Sequence, residues 1–142
     1  MNHSFGLLLS SLLLFTACGP DGGGSSGQCS SDILVGDLVI KDTSEILRRA
    51  VRTFDICTRF GGEEFAIVMP SSTLQAATNV AERIRQRIER YRPAGVDTLR
   101  MTASVGIAMS GPDKTTRDLI ARADEALYLA KRAGKNQVRA ID

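Results

Sequence analysis

Residues 59–65 read RFGGEEF, with FDIC (54–57) before and AIVMP (66–70) after. Two β-prone apolar runs about a Gly-Gly pair predict a hairpin with Gly61 and Gly62 at its lip. Paired glycines cost backbone entropy, and adjacent carboxylates repel. A turn that keeps Gly61, Gly62, Glu63 and Glu64 in succession raises the question of a chemical use. Neighbouring strand side chains point to opposite faces, so Glu63 and Glu64 need not share one role. One suits Mg2+ held together with substrate phosphates, since Mg2+ takes only one or two protein carboxylates. The other suits deprotonation of a hydroxyl nucleophile, and the glycines let backbone approach a polyphosphate. On these residues alone, a solvated charged hairpin is the simpler reading.

Upstream, Val39, Ile40, Ile46, Leu47, Ala50, Val51 and Phe54 fall at helical spacing, predicting a helix from Gly36 to Phe54 with Asp37 as its cap. Downstream, Ser72 and Gln75 have the spacing of a capping box. Leu74, Ala77, Val80, Ala81, Ile84, Ile88 and Tyr91 then mark a long amphipathic helix. Its Arg85, Arg87, Arg90 and Arg92 read as a solvated face. Alternation of Leu99, Met101, Ala103, Val105 and Ile107 predicts a strand over 99–109. Thr115–Arg132 reads as a third helix stopped by Gly134, and NQVRAI (136–141) as a last short strand. This order of elements predicts an α/β fold, a sheet with flanking helices.

The chain has 142 residues, enough for one domain with a core. A formal charge of +2, no Trp and only scattered Phe and Tyr argue against a nucleic-acid partner. Cys18, Cys29 and Cys57 have neither metal-ligand spacing nor the even count of a disulfide framework, and Cys57 reads as a small buried hydrophobe.

The chain begins differently. Residues 5–17, FGLLLSSLLLFTA, are too short for a membrane span and suit a secretory signal, and FTAC resembles a lipoprotein cleavage site at Cys18. Against this, MNHS lacks the usual basic leader. Residues 19–32 hold five Gly, four Ser and one Pro and read as a flexible linker. The expected organisation is a signal-like or lipoprotein-like segment over 1–18, a linker over 19–32 and a folded unit over 33–142.

RFGGEEF is similar to the signature of the GGDEF family, the diguanylate cyclases, in its GGEEF form. The resemblance extends through VGDLVIKDTSEILRRAVRTFDICTRFGGEEFAIVMP (35–70), AERIR (81–85), TASVGIA (102–108) and RADEALYLAKRAGKN (122–136). It implies a sheet like that of nucleotide cyclases and polymerase palms. It implies condensation of two GTP to cyclic di-GMP with Mg2+ or Mn2+, in a homodimer, as part of second-messenger signalling. By resemblance, Glu64 is the metal-binding carboxylate and Glu63 helps activate the hydroxyl. Gly61 and Gly62 lie under the phosphates, Asp37 accepts from a guanine edge, and Lys131 and Lys135 hold the β- and γ-phosphates. Arg52 and Asp55, with Arg83, match an inhibitory site for cyclic di-GMP. On residues alone, Asp37 is a plain helix cap, and Lys131 and Lys135 are solubilising cations at a helix C-terminus.

The family's first block is missing: a central strand with a metal-binding Asp, a Phe-Lys pair and a guanine-reading Asn. Asp21 lies near the expected place of that Asp, but Pro20 and Gly22–Gly24 around it do not make a buried strand. The expectation is a palm-like sheet lacking its first central strand, with impaired turnover. A cyclic di-GMP-binding module without catalysis and an inert remnant are the alternatives. The family works at or near the inner membrane on its cytoplasmic side, with the N-terminus as a potential anchor; a working signal would instead make an exported lipoprotein.

Overall fold

Five strands and three helices make up the computed structural model, which describes residues 11–18, 29–94, 99–112 and 115–141. Strand β1 (Ser11–Cys18) is followed by α1 (Cys29–Ala50), the hairpin β2 (Ile56–Gly61) and β3 (Glu64–Val68), α2 (Leu74–Arg90), β4 (Thr102–Met109), α3 (Thr116–Arg132) and β5 (Val138–Ile141). The sheet runs β2-β3-β1-β4-β5. All neighbours are antiparallel except β4 and β5, which are parallel and joined through α3. This is the palm-like α/β arrangement that the sequence implies.

The centre of the sheet is not vacant. Ser11–Cys18 pairs with β3 on one edge and along its full length with β4 on the other. A mostly apolar run, SLLLFTAC, suits a strand flanked on both sides. Part of the signal-like segment thus occupies the place where the family's first block was expected to be lost. It does so without that block's carboxylate. Asp21 lies outside the described residues.

Alternation divides the strands between two helical layers of different texture. Phe65, Ile67 and Met69 of the β3 region and Ala103, Val105 and Ile107 of β4 face α1 and α2, meeting Leu47, Ala50, Ala77, Ala81, Ile84 and Ile88. The opposite face is lined by small residues, Ala66 and Ala108, against Leu119, Ala123 and Leu127 of α3. At Gly106 a Cβ would come within 2.2 Å of the Ala123 carbonyl oxygen and 2.3 Å of the Leu127 nitrogen. The glycine therefore lets α3 lie directly on β4.

Several element ends differ from the sequence reading. Helix α1 starts at Cys29, inside the Gly/Ser-rich stretch, where Ser30, Ser31 and Asp32 suit a first turn. Asp37 is therefore an exposed residue inside the helix and not its cap. The helix ends at Ala50, because the Arg52–Asp55 turn takes over: Arg52 N–H donates to Asp55 Oδ2 (2.8 Å) and Asp55 N–H to the Arg52 carbonyl (3.1 Å). The cap of α2 is Thr73, whose Oγ1 accepts from Ala76 N–H at 3.2 Å; Ser72 is buried and Gln75 pairs with Asn79, so the Ser72–Gln75 box does not form. Helix α3 begins at Thr116, and Thr115, read as its first residue, is its cap.

Candidate functional site

The hairpin closes with Gly61 in β2, paired with Glu64, and with Gly62 in the left-handed region at φ +37°. A glycine tolerates that conformation at little cost. Arg59 Nε donates to the Gly62 carbonyl at 2.7 Å and braces the turn from the strand. Glu63 is exposed on the turn, whereas Glu64 opens β3 and is half-buried. Because Phe65 goes into the α1/α2 layer, Glu64 falls on the α3 side of the sheet.

There it meets Lys131 from the last turn of α3, Nζ to Oε1 at 4.0 Å. Both side chains are more than a third exposed, so the pair adds little to stability. Its significance is chemical: an anion and a cation from distant parts of the chain share one lip. Lys135 lies four residues on, exposed in the loop from α3 to β5, with its backbone at φ +59°. Below the lip, Phe60, Glu64, Arg117, Ile120, Ala121, Asp124 and Leu127 line a cleft of about 550 Å³. That is the size of a small-molecule site, commonly about 300–1,000 Å³. Phe60, Arg117 and Asp124 were not singled out in the sequence, because residues on a strand or helix look like any exposed face until the hairpin is laid against α3.

The donor set falls short of a metal centre. Among the described residues no three Asp, Glu, His or Cys groups come together as ligands. In the β1–β3 register the partner of Glu64 is Thr16, and no residue of Ser11–Cys18 carries a carboxylate. Glu64, with Glu63 beside it, does not by itself make the Mg2+ or Mn2+ site that the resemblance implies.

The second constellation lies at the C-terminal end of α1. The Arg52 guanidinium lies 6.0 Å from the Phe54 ring centre. Arg83 reaches across from α2 and donates from Nη2 to the Ala50 carbonyl at 2.6 Å, next to the Arg52–Asp55 turn. The buried Asp55 Oδ1 has no hydrogen-bond partner among the described residues. Arg52, Asp55 and Arg83 are thus drawn to one corner.

The solvated reading of the other α2 arginines fails for Arg85. Its side chain is only 16% exposed and it bonds Glu82, Glu89 and Asn136. Helical i,i+3 and i,i+4 spacing made the two Glu partners legible; Asn136, distant in sequence, was not.

A family model described as "Diguanylate cyclase, GGDEF domain" matches residues 33–137. The response regulator PleD of Caulobacter vibrioides is 39% identical over 108 residues, 73% of this chain and 24% of that protein. The diguanylate cyclase DosC of Escherichia coli is 37% identical over 105 residues, 72% of this chain and 23% of that protein. The chain thus spans about a quarter of the length of these relatives. Among solved structures, the coiled coil and GGDEF domain of DgcB from Caulobacter crescentus, in complex with c-di-GMP, matches with a TM-score of 0.77 and 25% identity, covering 93% of this chain and 70% of that one. Among the described residues no helix is long and apolar enough to cross a membrane.

Proposed function

The chain belongs to the GGDEF family, and on that premise we propose that it is a diguanylate cyclase-type domain. It grips the phosphates of GTP between the glycine turn and the end of α3, and its turnover is weakened by the lack of a carboxylate on β1. The observation that carries this reading is the convergence of Glu64 and Lys131 at 4.0 Å beside Gly61 and Gly62. Lys131 and Lys135 offset the charge of the β- and γ-phosphates, and the Gly62 turn lets them approach the backbone. Asp37, exposed on α1, accepts from the guanine edge. Glu63 takes the proton of the attacking 3′-hydroxyl. In the family's reaction two such domains meet with one GTP each. Each 3′-hydroxyl attacks the other nucleotide's α-phosphate, and two pyrophosphates leave with the formation of cyclic di-GMP. Dependence on Mg2+ or Mn2+ comes with the family; Glu64 would be the carboxylate that this chain offers such an ion, which would supply Lewis-acid stabilisation. The reading keeps Ser11–Cys18 in the sheet, so it assigns function to a chain that retains them on the cytoplasmic side, where GTP is found.

Calorimetric titration of the folded full chain with GTP, and chromatography of the products formed with Mg2+ or Mn2+, test this. GTP binding with little or no cyclic di-GMP is expected. Lys131→Ala should weaken binding by about tenfold, the worth of one charge-assisted hydrogen bond. A folded chain that ignores GTP overturns the reading.

A second role has its own observation. The buried Asp55 Oδ1, without a hydrogen-bond partner among the described residues and beside Arg52 and Arg83, supports recognition of cyclic di-GMP by guanidinium and carboxylate, independently of turnover. The similar DgcB structure contains c-di-GMP. Titration with cyclic di-GMP should show binding that Arg52→Ala weakens much more than Arg92→Ala; equal affinities would remove this role.

A further inference from the structure

The loop between α3 and β5 is held in a costly shape. Gly134, Lys135 and Asn136 are successive positive-φ residues at +114°, +59° and +45°. Such values suit glycine, are tolerated by Asn and are uncommon for Lys. A backbone of this kind persists only where its surroundings over-determine it.

Here they do. Asn136 Nδ2 donates to Glu89 Oε1 at 2.8 Å, and Arg85 Nη1 donates to Asn136 Oδ1 at 3.0 Å. Both ends of the amide are thus engaged by α2. The Arg85 guanidinium is itself fixed by Glu82 and Glu89 at 2.9 and 3.0 Å. Donation from Asn136, then from Arg85, holds the Glu89 carboxyl below its ordinary range. On the other side, Lys135 N–H donates to the Ala130 carbonyl at 3.1 Å, and Gln137 Nε2 donates to the carbonyls of Ala130 and Lys135. The residue caught between these anchors is Lys135.

We propose that Asn136 is a positioning residue: gripped by Arg85 and Glu89, it fixes the left-handed backbone that presents the Lys135 ammonium to a bound polyphosphate. The proposal rests on the reading of Lys135 as a phosphate ligand. A lysine on a loop free to move loses backbone as well as side-chain freedom on binding; one whose backbone is already set loses only the side-chain part.

Inorganic tripolyphosphate is the probe, titrated calorimetrically into the full chain at fixed salt, with thermal melting of each variant alongside. Lys135→Ala should weaken binding by about tenfold. Asn136→Gly keeps a backbone that tolerates positive φ but removes the clamp, and should lose a comparable factor with the fold intact. The double variant should lose no more than Lys135→Ala alone, because the clamp acts through the lysine. Glu89→Ala, at an exposed position, removes one of the two grips and should give a smaller loss in the same direction. Wild-type affinity in Asn136→Gly and Glu89→Ala, alongside weakened binding in Lys135→Ala, overturns the clamp alone. Unchanged binding in Lys135→Ala, or none in folded wild type, overturns the phosphate role of Lys135 and the clamp with it.

Discussion

Glu64 has a cation at 4.0 Å on α3 and a threonine beside it in the strand register. Directly paired residues of antiparallel strands lie about 4.5–5.5 Å apart at Cβ, a separation that two carboxylates sharing a divalent ion can bridge. Thr16→Asp therefore introduces the carboxylate that β1 lacks, at the register position next to Glu64. The variant should bind Mn2+ at least about tenfold more tightly than wild type, as read by calorimetry, and should form more cyclic di-GMP from GTP. Unchanged Mn2+ affinity would mean that the register position does not open onto the Glu64 lip. The same scale explains why Arg85 was misread. Its spacing from Glu82 and Glu89 is that of any solvated helix face, and its third partner, Asn136, arrives from beyond β4 and α3.

At the scale of elements, α3 is the component whose placement makes the site, and two features hold it. Gly106 allows contact between helix and strand backbones. Gly106→Ala forces a methyl group into the Ala123 carbonyl and the Leu127 nitrogen, neither of which can rotate away. A loss of about 3 kcal/mol or more is expected in urea unfolding, at or beyond the upper end for overpacked cores, with Lys131 displaced from Glu64. The second feature is the Thr115–Asp118 cap, with Thr115 Oγ1 and N–H donating to Asp118 Oδ2 at 2.6 and 2.9 Å and Asp118 N–H donating back to Thr115 Oγ1 at 3.2 Å. These bonds, the hydroxyl's first, hold the Asp118 carboxyl below its usual range. A depressed carboxyl contributes stability above its unfolded pKa and loses it as pH falls through the folded value. Asp118→Asn should therefore lower the melting temperature at neutral pH and flatten its fall between about pH 5 and pH 2. Parallel pH–melting curves for the two proteins would rule out this contribution.

For the whole molecule, the decisive element is β1. It hydrogen-bonds on both edges and joins the hairpin half of the sheet to the β4–β5 half. Removing residues 1–17, as cleavage before Cys18 would, leaves β3 and β4 without their shared neighbour and exposes two edges. Net stability of a domain is only about 5–15 kcal/mol, so loss of a central strand can consume most of it. The shortened chain should show no cooperative thermal transition and should aggregate, whereas the full chain melts cooperatively. Cooperative melting of the shortened chain, with GTP binding retained, would separate the function from β1.

Local chemistry made much of this protein legible in advance. Glycine pairs, alternation and 3.6-residue spacing act over a few residues, so the Glu63/Glu64 hairpin, the strand around Val105 and the helices that end near Arg90 and Arg132 could be read without coordinates. The family's motifs added the fold class. Tertiary structure decided what depends on partners far apart in the chain. The run SLLLFTAC has the composition of both a signal core and a central strand, and only its pairing with β3 and β4 distinguishes the strand. Asp37 looked like a cap because it stands just before the apolar spacing that starts at Val39, but α1 had already begun at Cys29. The apposition of Glu64 with Lys131, the hold of Arg83 on Ala50 and the clamp on Asn136 come from elements brought together by burying the two apolar faces of one sheet. Hydrophobic burial is non-directional, so the linear pattern specifies that such faces must be covered, while backbone pairing and close packing determine which polar groups then meet.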